Sequence, residues 1–587
     1  MAAAGRTGAD IRNHRYMKWR KTAYPGNRNE KRQSQYFLFP LTNFYHDAFP
    51  LNDDERCRKL LGVQATLFSL CSSFHNPPTF SLSTLDKISS VPCSLRSLFL
   101  KRWEVSEMLK HISSSLEYRA FLRDEKDHLG YAQLKRLDTS KFHSALHKLR
   151  KLDVDLAVDV LFPLYSVTGR PAHDPAVLIR SFILMQHLGY LSIHNWCADL
   201  SSDSLLQWLI GSFSPPGPAS HYDFINRLTH SDPHLSDLLQ QGYYTKPSQK
   251  KPKNHDKLIN YSHSETLFLA DKYKNGAEWD RDRMIYTLQS LFNALAVIPS
   301  SDMGFIESNN LILSGDGSSL HIHASPFGHK VKLDKDGNPL VRYSAPDADI
   351  GWDSDLESYY LGYTLYNISY HNPHRSVDLP IYIDLEKASR HDALTTISAS
   401  ARLFDMNPDI HPRYMCFDAA SDSLAIFQFF RHKNIIPIID RNQRSAGDNP
   451  FDKFKLNENG VPVCPNGTPM YDYGYDIQRK RRKFRCPLRM NKISSCPFAN
   501  ECSSSAYGRT IYVNDGDDIR LFGPVPYRSE KWKEIYRNRT STERMNTRIL
   551  NDYHLHQMKI RNGSKHAFFA IFAGINIHLD AWIKDEL

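Results

Sequence analysis

The stretch from residue 310 to residue 440 constrains the fold most, because short apolar runs alternate in it with longer amphipathic segments. Short apolar runs are typical of strands, and longer amphipathic segments are typical of helices. In chain order the segments predict strands at 310–314, 360–370 and 379–384, a helix at 392–403, a strand at 413–417, a helix at 423–432 and a strand at 435–439. This order predicts an α/β fold, with a mixed sheet flanked by helices.

Aspartates follow several of these predicted strands: Asp316, Asp384, Asp418 and Asp440. Phosphodiester chemistry on DNA uses two divalent cations that are held by carboxylates, often at the ends of adjacent elements. Position alone does not choose among the four aspartates. The Asp316-Gly317 pair is also typical of a hairpin turn, and Asp418 or Asp422 is suited to cap a helix.

Glu543 lies among arginines in a segment predicted to be helical from residue 529 to about 551. An ordinary surface ion pair would explain it. Tyr536, Arg539 and Glu543 follow one another at spacings of three and four, which places them roughly on one helix face.

Five segments in order resemble bacterial insertion-sequence transposases of the DDE class. Residues 314–318 resemble the first aspartate motif of the family, and residues 417–423 resemble the second. Tyr536-x2-Arg539-x3-Glu543 resembles the signature around its third carboxylate. Residues 389–393 resemble the turn that precedes a helix in the same family. Residues 167–227 resemble the N-terminal domain of these proteins, through Gly169-Arg170-Pro171, Asp174-Pro175, Gly189, Trp196, Gly211 and Phe224. The resemblance spans roughly residues 150–587.

The resemblance implies an RNase H-like catalytic domain and a DNA transposase that nicks element ends and joins the freed 3′ hydroxyl to target DNA. It implies that Asp316, Asp418 and Glu543 are catalytic and bind two Mg²⁺ or Mn²⁺ ions. Tyr536 and Arg539 would position the phosphates of the DNA end. The implied partner is double-stranded DNA, bound by a homodimer in the bacterial cytoplasm at the nucleoid.

One position departs from the family pattern. A lysine often follows the glutamate by seven residues, and this chain has Leu550 there. Arg544 and Arg548 are nearby candidates for DNA contact, although they turn away from the face of Glu543. Two other functions remain open from the sequence: a repurposed transposase that only binds DNA, and an RNase H-like nuclease that cuts without joining.

The predicted domains begin with residues 1–150, a region without an assigned role. Residues 151–245 are predicted to be helical, with Asp174-Pro175 starting a helix, Gly189 ending it and Ser192 starting the next. This pattern suits a DNA-binding helix-turn-helix or a plain helical hairpin. A linker and helical segment follow at 246–305, and the catalytic domain at 306–587.

An insertion at about 441–528 carries Cys464, Cys486, Cys496 and Cys502. Four thiolates could hold a structural Zn²⁺, although reduced cysteines in a loop-rich segment are the alternative. The insertion also contains the basic run 479–483, in which Arg481 and Arg482 are candidates for contact with DNA phosphates.

The net charge of +10 favours a polyanionic partner without requiring one. The most apolar segment, 567–583, is interrupted by Asn576, His578 and Asp580, so we predict a buried helix and no membrane partner. No apolar secretion signal is recognised near the first residue.

Overall fold

The computed structural model describes residues 111–165, 171–230, 279–307, 310–333, 337, 339–345, 347–442, 454–499, 501–514 and 518–584. The chain divides into two compact units, Met1–Arg96 and Ser97–Leu587, and every described residue belongs to the second. The predicted linker at 246–257 lies outside the described residues, as do Gly169 and Arg170.

Helices form the described chain as far as Asp302. They are α1 Ser115–Asp124, α2 Tyr131–Leu137, α3 Ser140–Lys151, α4 Val158–Leu161, α5 Pro175–His187, α6 Ile193–Ser202, α7 Ser204–Ile210, α8 Pro218–Leu228, α9 Trp279–Phe292 and α10 Ile298–Asp302. Asp174 caps α5 as predicted, because its side chain accepts a hydrogen bond from Ala176 N at 2.8 Å. Gly189 ends this helix region in the left-handed conformation, with φ +77°. Ser192 precedes α6 but its side chain makes no capping bond.

A six-stranded mixed sheet follows. Its strands are β1 Ile312–His321, β4 Asp349–Asp353, β5 Ser358–Asn372, β6 Val377–Lys387, β7 Tyr414–Phe417 and β8 Ile436–Ile439, and β2 His329–Leu333 and β3 Pro339–Arg342 form a separate hairpin. Strand β5 pairs antiparallel with β1, β4 and β6, whereas β1, β7 and β8 are parallel. Helices α11 Asp392–Met406 and α12 Leu424–His432 connect β6, β7 and β8. The predicted mixed sheet and its element order are confirmed, and β2 to β4 are additional.

The prediction for β1 was wrong in one respect. Asp316 does not end the strand and does not form a hairpin turn with Gly317, because β1 continues to His321. Residues 313–321 pair with β5 throughout, and 312–314 also pair with β7. Antiparallel hydrogen bonding to β5 holds the Asp-Gly pair extended, against its local preference for a turn.

The insertion forms its own small layer. It contains β9 Lys455–Leu456, β10 Pro462–Val463, β11 Tyr471–Asp476, β12 Arg481–Arg485, β13 Thr510–Asn514 and α13 Ile519–Phe522. Strands β11, β12 and β13 form an antiparallel sheet in that order. One face of it buries Phe484, Ile511 and Val513 in a cluster with Phe522 and Trp532.

The last described elements are α14 Glu530–Tyr536, α15 Thr540–Thr547 and α16 Gly563–Ile583. Among the described helices, α16 is long and apolar enough to cross a membrane, but the protein buries nearly all of it. The predicted buried helix is thus confirmed. Gln186 of α5 donates to Phe569 O at 2.8 Å, and Lys148 of α3 donates to Asn576 Oδ1 at 3.2 Å. Helices on both sides of residue 150 therefore share one core with α16.

Candidate active site

Strands β1 and β7 bring two predicted carboxylates together. The strands are parallel, and Ile312, Leu313 and Ser314 pair with Tyr414, Met415 and Cys416. Continued by two residues, this register sets Asp316 beside Asp418, which directly follows β7. Neighbouring strands lie roughly 4.8 Å apart, so the two carboxylates face one small volume.

Glycines on either side of Asp316 allow β1 to pack closely. A Cβ on Gly315 would lie 2.7 Å from Phe417 Cε1 and 2.8 Å from Tyr366 Oη. A Cβ on Gly317 would lie 2.9 Å from Thr364 Cγ2 and 3.1 Å from Asp392 Oδ1. Real Cβ atoms do not approach so closely, so larger residues would push β1 away from its neighbours.

A buried hydroxyl network docks α15 on the sheet. Ser541 Oγ lies 2.7 Å from Ser314 Oγ and 2.9 Å from Ser369 Oγ. Thr542 Oγ1 donates to Ser314 O at 2.9 Å. These side chains are buried, and buried hydroxyls are costly to leave without partners. The network therefore fixes where the next residue, Glu543, stands relative to β1.

Arg539 links the third carboxylate to the first. Its Nη1 donates to Glu543 Oε1 at 2.7 Å and lies 3.9 Å from Asp316 Oδ2. Tyr536 supports this arginine, with the guanidinium 5.7 Å from its ring centre. Tyr536 itself stacks on Trp532, with ring centres 4.4 Å apart. The three residues of the Tyr-Arg-Glu signature thus form one cluster beside Asp316. Glu543 does form an ion pair, the alternative explanation for this residue from the sequence, and its partner is Arg539.

Asp392 is a fourth carboxylate at this site, and the sequence did not mark it as a functional residue. It is the first residue of α11 and approaches Gly317. Burial and the neighbouring Asp418 raise the pKa of Asp392 to about 6. The sequence feature that could have identified Asp392 is its position in the 389–393 motif. From the sequence, that motif is interpreted as the turn before a helix, which needs no functional role for the aspartate.

The burial of several neighbouring carboxylates is the main electrostatic property of the site. Burial, followed by the charges of Asp418 and Asp392, raises the pKa of Asp316 to about 8, against the lowering effect of Arg539. Burial also raises the pKa of Asp418. One arginine does not balance this much buried negative charge. A divalent cation would, and carboxylate oxygens are the ligands that Mg²⁺ and Mn²⁺ prefer, so the donor set fits such an ion.

The side chains are not grouped for a metal ion as they stand. In the part of the chain that the structure describes, no three His, Cys, Asp or Glu residues form such a group. At the carboxylate site, Arg539 lies against both Asp316 and Glu543. Binding of cations would therefore require this guanidinium to give up at least one of these contacts.

Other strand-associated aspartates have structural partners. Asp384 lies inside β6 and pairs with Arg402 at 3.0 Å, with both side chains buried. Asp440 accepts from Tyr527 Oη at 2.5 Å. Asp422 does not cap α12, because its buried side chain accepts from Asn442 N at 3.0 Å. Asp418 itself caps a short 3₁₀ turn by accepting from Ala420 N at 3.1 Å.

The arginines after Glu543 are engaged in ion pairs away from the carboxylates. Arg544 pairs with Asp378 at 2.5 Å, and Arg548 pairs with Asp580 at 2.7 Å. Leu550 lies in a π-helical turn, Arg548–Asp552, and is buried in the core. The position where the family often has lysine therefore faces apolar side chains in this chain.

The insertion sheet presents a second face to solvent, and we call it the outer face. It carries Tyr473, Tyr507 and Tyr512, each between 43% and 49% exposed. Three cations pack against these rings. Arg481 lies 4.3 Å from the Tyr512 centre, Lys483 4.7 Å from Tyr473 and Arg485 3.3 Å from Tyr507.

Arg482, which the sequence grouped with Arg481 as a DNA contact, points the other way. Its side chain is 3% exposed and pairs with Asp472 at 2.6 Å. Its Nη2 donates to Gly523 O at 2.7 Å and to Pro524 O at 2.8 Å. Arg482 thus ties the sheet to the segment after α13.

The predicted helix-turn-helix corresponds to α5 and α6. All but the last residue of α5 is buried. The exposed side chains of α6 are His194, Asn195, Ala198, Asp199, Ser201 and Ser202, a set without lysine or arginine. Helix α5 therefore contributes to the core, and whether α6 contacts DNA stays a prediction.

Residues 137–230 match the family described as Transposase domain (DUF772). This range runs from the end of α2 to just past α8. The match supports a transposase and hence an enzyme of DNA transposition. No curated protein matches the chain.

Proposed function

We propose that this chain is a DDE transposase, which cuts DNA at the ends of its element and joins the freed 3′ ends to target DNA. The observation that carries the proposal is the adjacency of Asp316 and Asp418 along the parallel pair β1 and β7, with Glu543 held near Asp316 by Arg539 and the docking of α15. The transposase-domain match at 137–230 supports the same function independently of the carboxylates.

The sheet supports an RNase H-like catalytic domain. Its strands lie in the order β6-β5-β1-β7-β8, with the first three antiparallel and the last two parallel to β1. In this proposal the carboxylates sit where the central strand and its parallel neighbour meet, and the helix that carries Glu543 packs against β1, β5 and β6.

Asp316, Asp418 and Glu543 are the residues that would hold two Mg²⁺ or Mn²⁺ ions. When bound, such ions neutralise charge on the attacking and leaving oxygens of the phosphodiester. Asp316 carries a proton near neutral pH without a cation, because its pKa is about 8, and it must release that proton to become a ligand. Arg539, freed from Glu543, and Tyr536 would contact the phosphates of the DNA end.

The outer face of the insertion sheet is the proposed second contact with double-stranded DNA. Exposed tyrosines with packed cations suit a backbone of phosphates, and phosphate contacts depend strongly on salt. This assignment keeps Arg481 as a DNA contact and replaces Arg482 with Lys483. Arg544 and Arg548 would not contact DNA in this proposal. Their ion pairs with Asp378 and Asp580 would only help to hold α15 in place. We further propose a homodimer on the DNA, in the bacterial cytoplasm at the nucleoid.

A cleavage and joining assay tests the function. The full chain is incubated with Mg²⁺ or Mn²⁺, labelled DNA from the two flanks of its gene and a supercoiled plasmid. A DDE transposase yields nicked ends and end-to-plasmid joints. Cleavage without joints would instead show a nuclease, and binding without cleavage a repurposed DNA-binding protein.

A further inference from the structure

The four cysteines of the insertion converge in space although they are far apart in the sequence. Cys464, Cys486, Cys496 and Cys502 all line one cavity of about 20 Å³. A single water-sized sphere needs roughly 10–15 Å³, so the cavity has room for one ion and for little else. None of the four is in a disulfide, and all are partly buried.

Backbone hydrogen bonds fix the positions of Cys464, Cys486 and Cys502. Gly467 N donates to Cys464 O at 2.8 Å, and Cys464 N donates to Thr468 O at 2.9 Å. Cys486 N donates to Arg509 O at 2.9 Å, across the base of the loop between β12 and β13. Cys502 N donates to Phe498 O at 2.9 Å. Three separate chain segments therefore meet at the cavity.

The loop from Cys486 to Arg509 has no apolar core to hold it. Its described residues contain neither helix nor strand, and Pro487 is the only one of them that is fully buried. Fixing this much backbone costs entropy that the loop's own burial does not offset. Small segments of this kind are commonly organised by a structural metal ion.

We infer that Cys464, Cys486, Cys496 and Cys502 bind one structural Zn²⁺ that fixes this loop to the insertion sheet. Tetrahedral coordination by four thiolates is the commonest closed zinc site, with Zn–S distances of about 2.3 Å. Rotation about χ1 of the cysteines onto the cavity would complete the group, which the side chains do not form as they stand.

The charge around the cavity suits this ligand set. A Zn²⁺ ion with four thiolates carries a net charge of minus two, and Arg489 and Arg509 both line the cavity. Their guanidinium groups would offset that charge and favour deprotonated sulfurs. Four clustered thiols could instead form two disulfides. Zinc content and free-thiol content distinguish these two possibilities.

The test is the zinc content of the full chain, purified with reductant and without chelator. We expect about one zinc ion per chain by mass spectrometry of the metal, and little zinc in Cys486→Ser or Cys502→Ser. Cys197→Ser is the matched control, since Cys197 is buried elsewhere, 3.3 Å from His221 Nδ1. This control should keep its zinc.

Cobalt substitution of the unmutated chain provides a measurement that does not depend on how the variants fold. We expect thiolate-to-metal charge transfer and the intense d–d absorption of tetrahedral Co²⁺. Wild-type protein that binds neither metal, or whose four cysteines lack free thiols before reduction, would overturn the inference. Neither measurement involves DNA, so the result is independent of the proposed transposition.

Discussion

Asp418 lies beside Asp316 because the parallel pairing of β7 with β1 continues in register from Cys416 and Ser314. The two aspartates are separated by a hairpin, four strands and a helix in the sequence. Burial, together with the neighbouring charges of Asp418 and Asp392, raises the pKa of Asp316.

Asp418→Asn should abolish cleavage and joining while leaving DNA binding unchanged, because the amide cannot replace the charged oxygen ligand. Activity should fall by several orders of magnitude, as expected for loss of a metal-dependent step. Asp440→Asn is the matched control, since Asp440 follows β8 as Asp418 follows β7, and an amide oxygen can still accept from Tyr527. Metal-dependent strand transfer by Asp418→Asn would exclude the proposed role.

Asp316→Asn should change how stability depends on pH. The pKa of Asp316 is raised to about 8 in the folded protein, whereas an unfolded aspartate titrates near about 3.9. Between these values the folded state holds a proton that the unfolded state has lost, so the free energy of unfolding falls as pH rises.

The Asn variant removes this contribution. In chelator at pH ~8.5 it should be more stable than wild type, by on the order of 2 kcal/mol, with little difference at pH ~4, near the unfolded pKa. Urea unfolding at both pH values measures this. Added Mg²⁺ should stabilise wild type and not the variant. Parallel pH profiles for the two proteins would contradict the prediction.

Ser541→Val should show how far activity depends on the position of Glu543, because it alters the hydroxyl network that holds α15 and leaves the glutamate itself unchanged. The valine removes one partner each from the buried hydroxyls of Ser314 and Ser369, at a cost of about 1–3 kcal/mol in the free energy of unfolding. DNA cleavage should fall while DNA binding remains. Thr547→Val on the exposed side of α15 should change stability by less than about 0.5 kcal/mol, and equal effects of the two variants would argue against the network.

Gly315→Ala should destabilise the sheet by about 1–3 kcal/mol, because the new methyl group would lie 2.7 Å from Phe417. Gly523→Ala is the control, with a φ of −62° and its nearest contact at 3.4 Å. Thermal unfolding of both variants distinguishes a close approach from a general effect of replacing glycine.

Lys483→Ala should weaken DNA binding and lower the slope of log affinity against log salt by about one. Arg482→Ala should instead lower the stability of the insertion, because it leaves Asp472 and two carbonyls without their donor. Lys126→Ala, an exposed lysine among the N-terminal helices, should alter neither. Fluorescence anisotropy over a salt series checks the three variants, and an unchanged slope for Lys483→Ala would remove the outer face from the DNA interface.

Local patterns in the sequence predicted most of the central sheet. Strands β5 to β8 and helices α11 and α12 begin and end within a few residues of their predicted positions. The error at Asp316 arose because a dipeptide typical of turns is held extended by its pairing with β5. The insertion strands escaped prediction because their exposed face alternates tyrosines with cations.

The sequence by itself determined the order of the elements, the carboxylate motifs and the four cysteines, since periodicity and short motifs are properties of neighbouring residues. Only the tertiary structure decided which of these side chains meet. Strand register set Asp316 beside Asp418, the hydroxyl network set Glu543 near Asp316, and α11 added Asp392. Burial directed Arg482 and Leu550 inward, because these choices depend on contacts between residues that are distant in the chain.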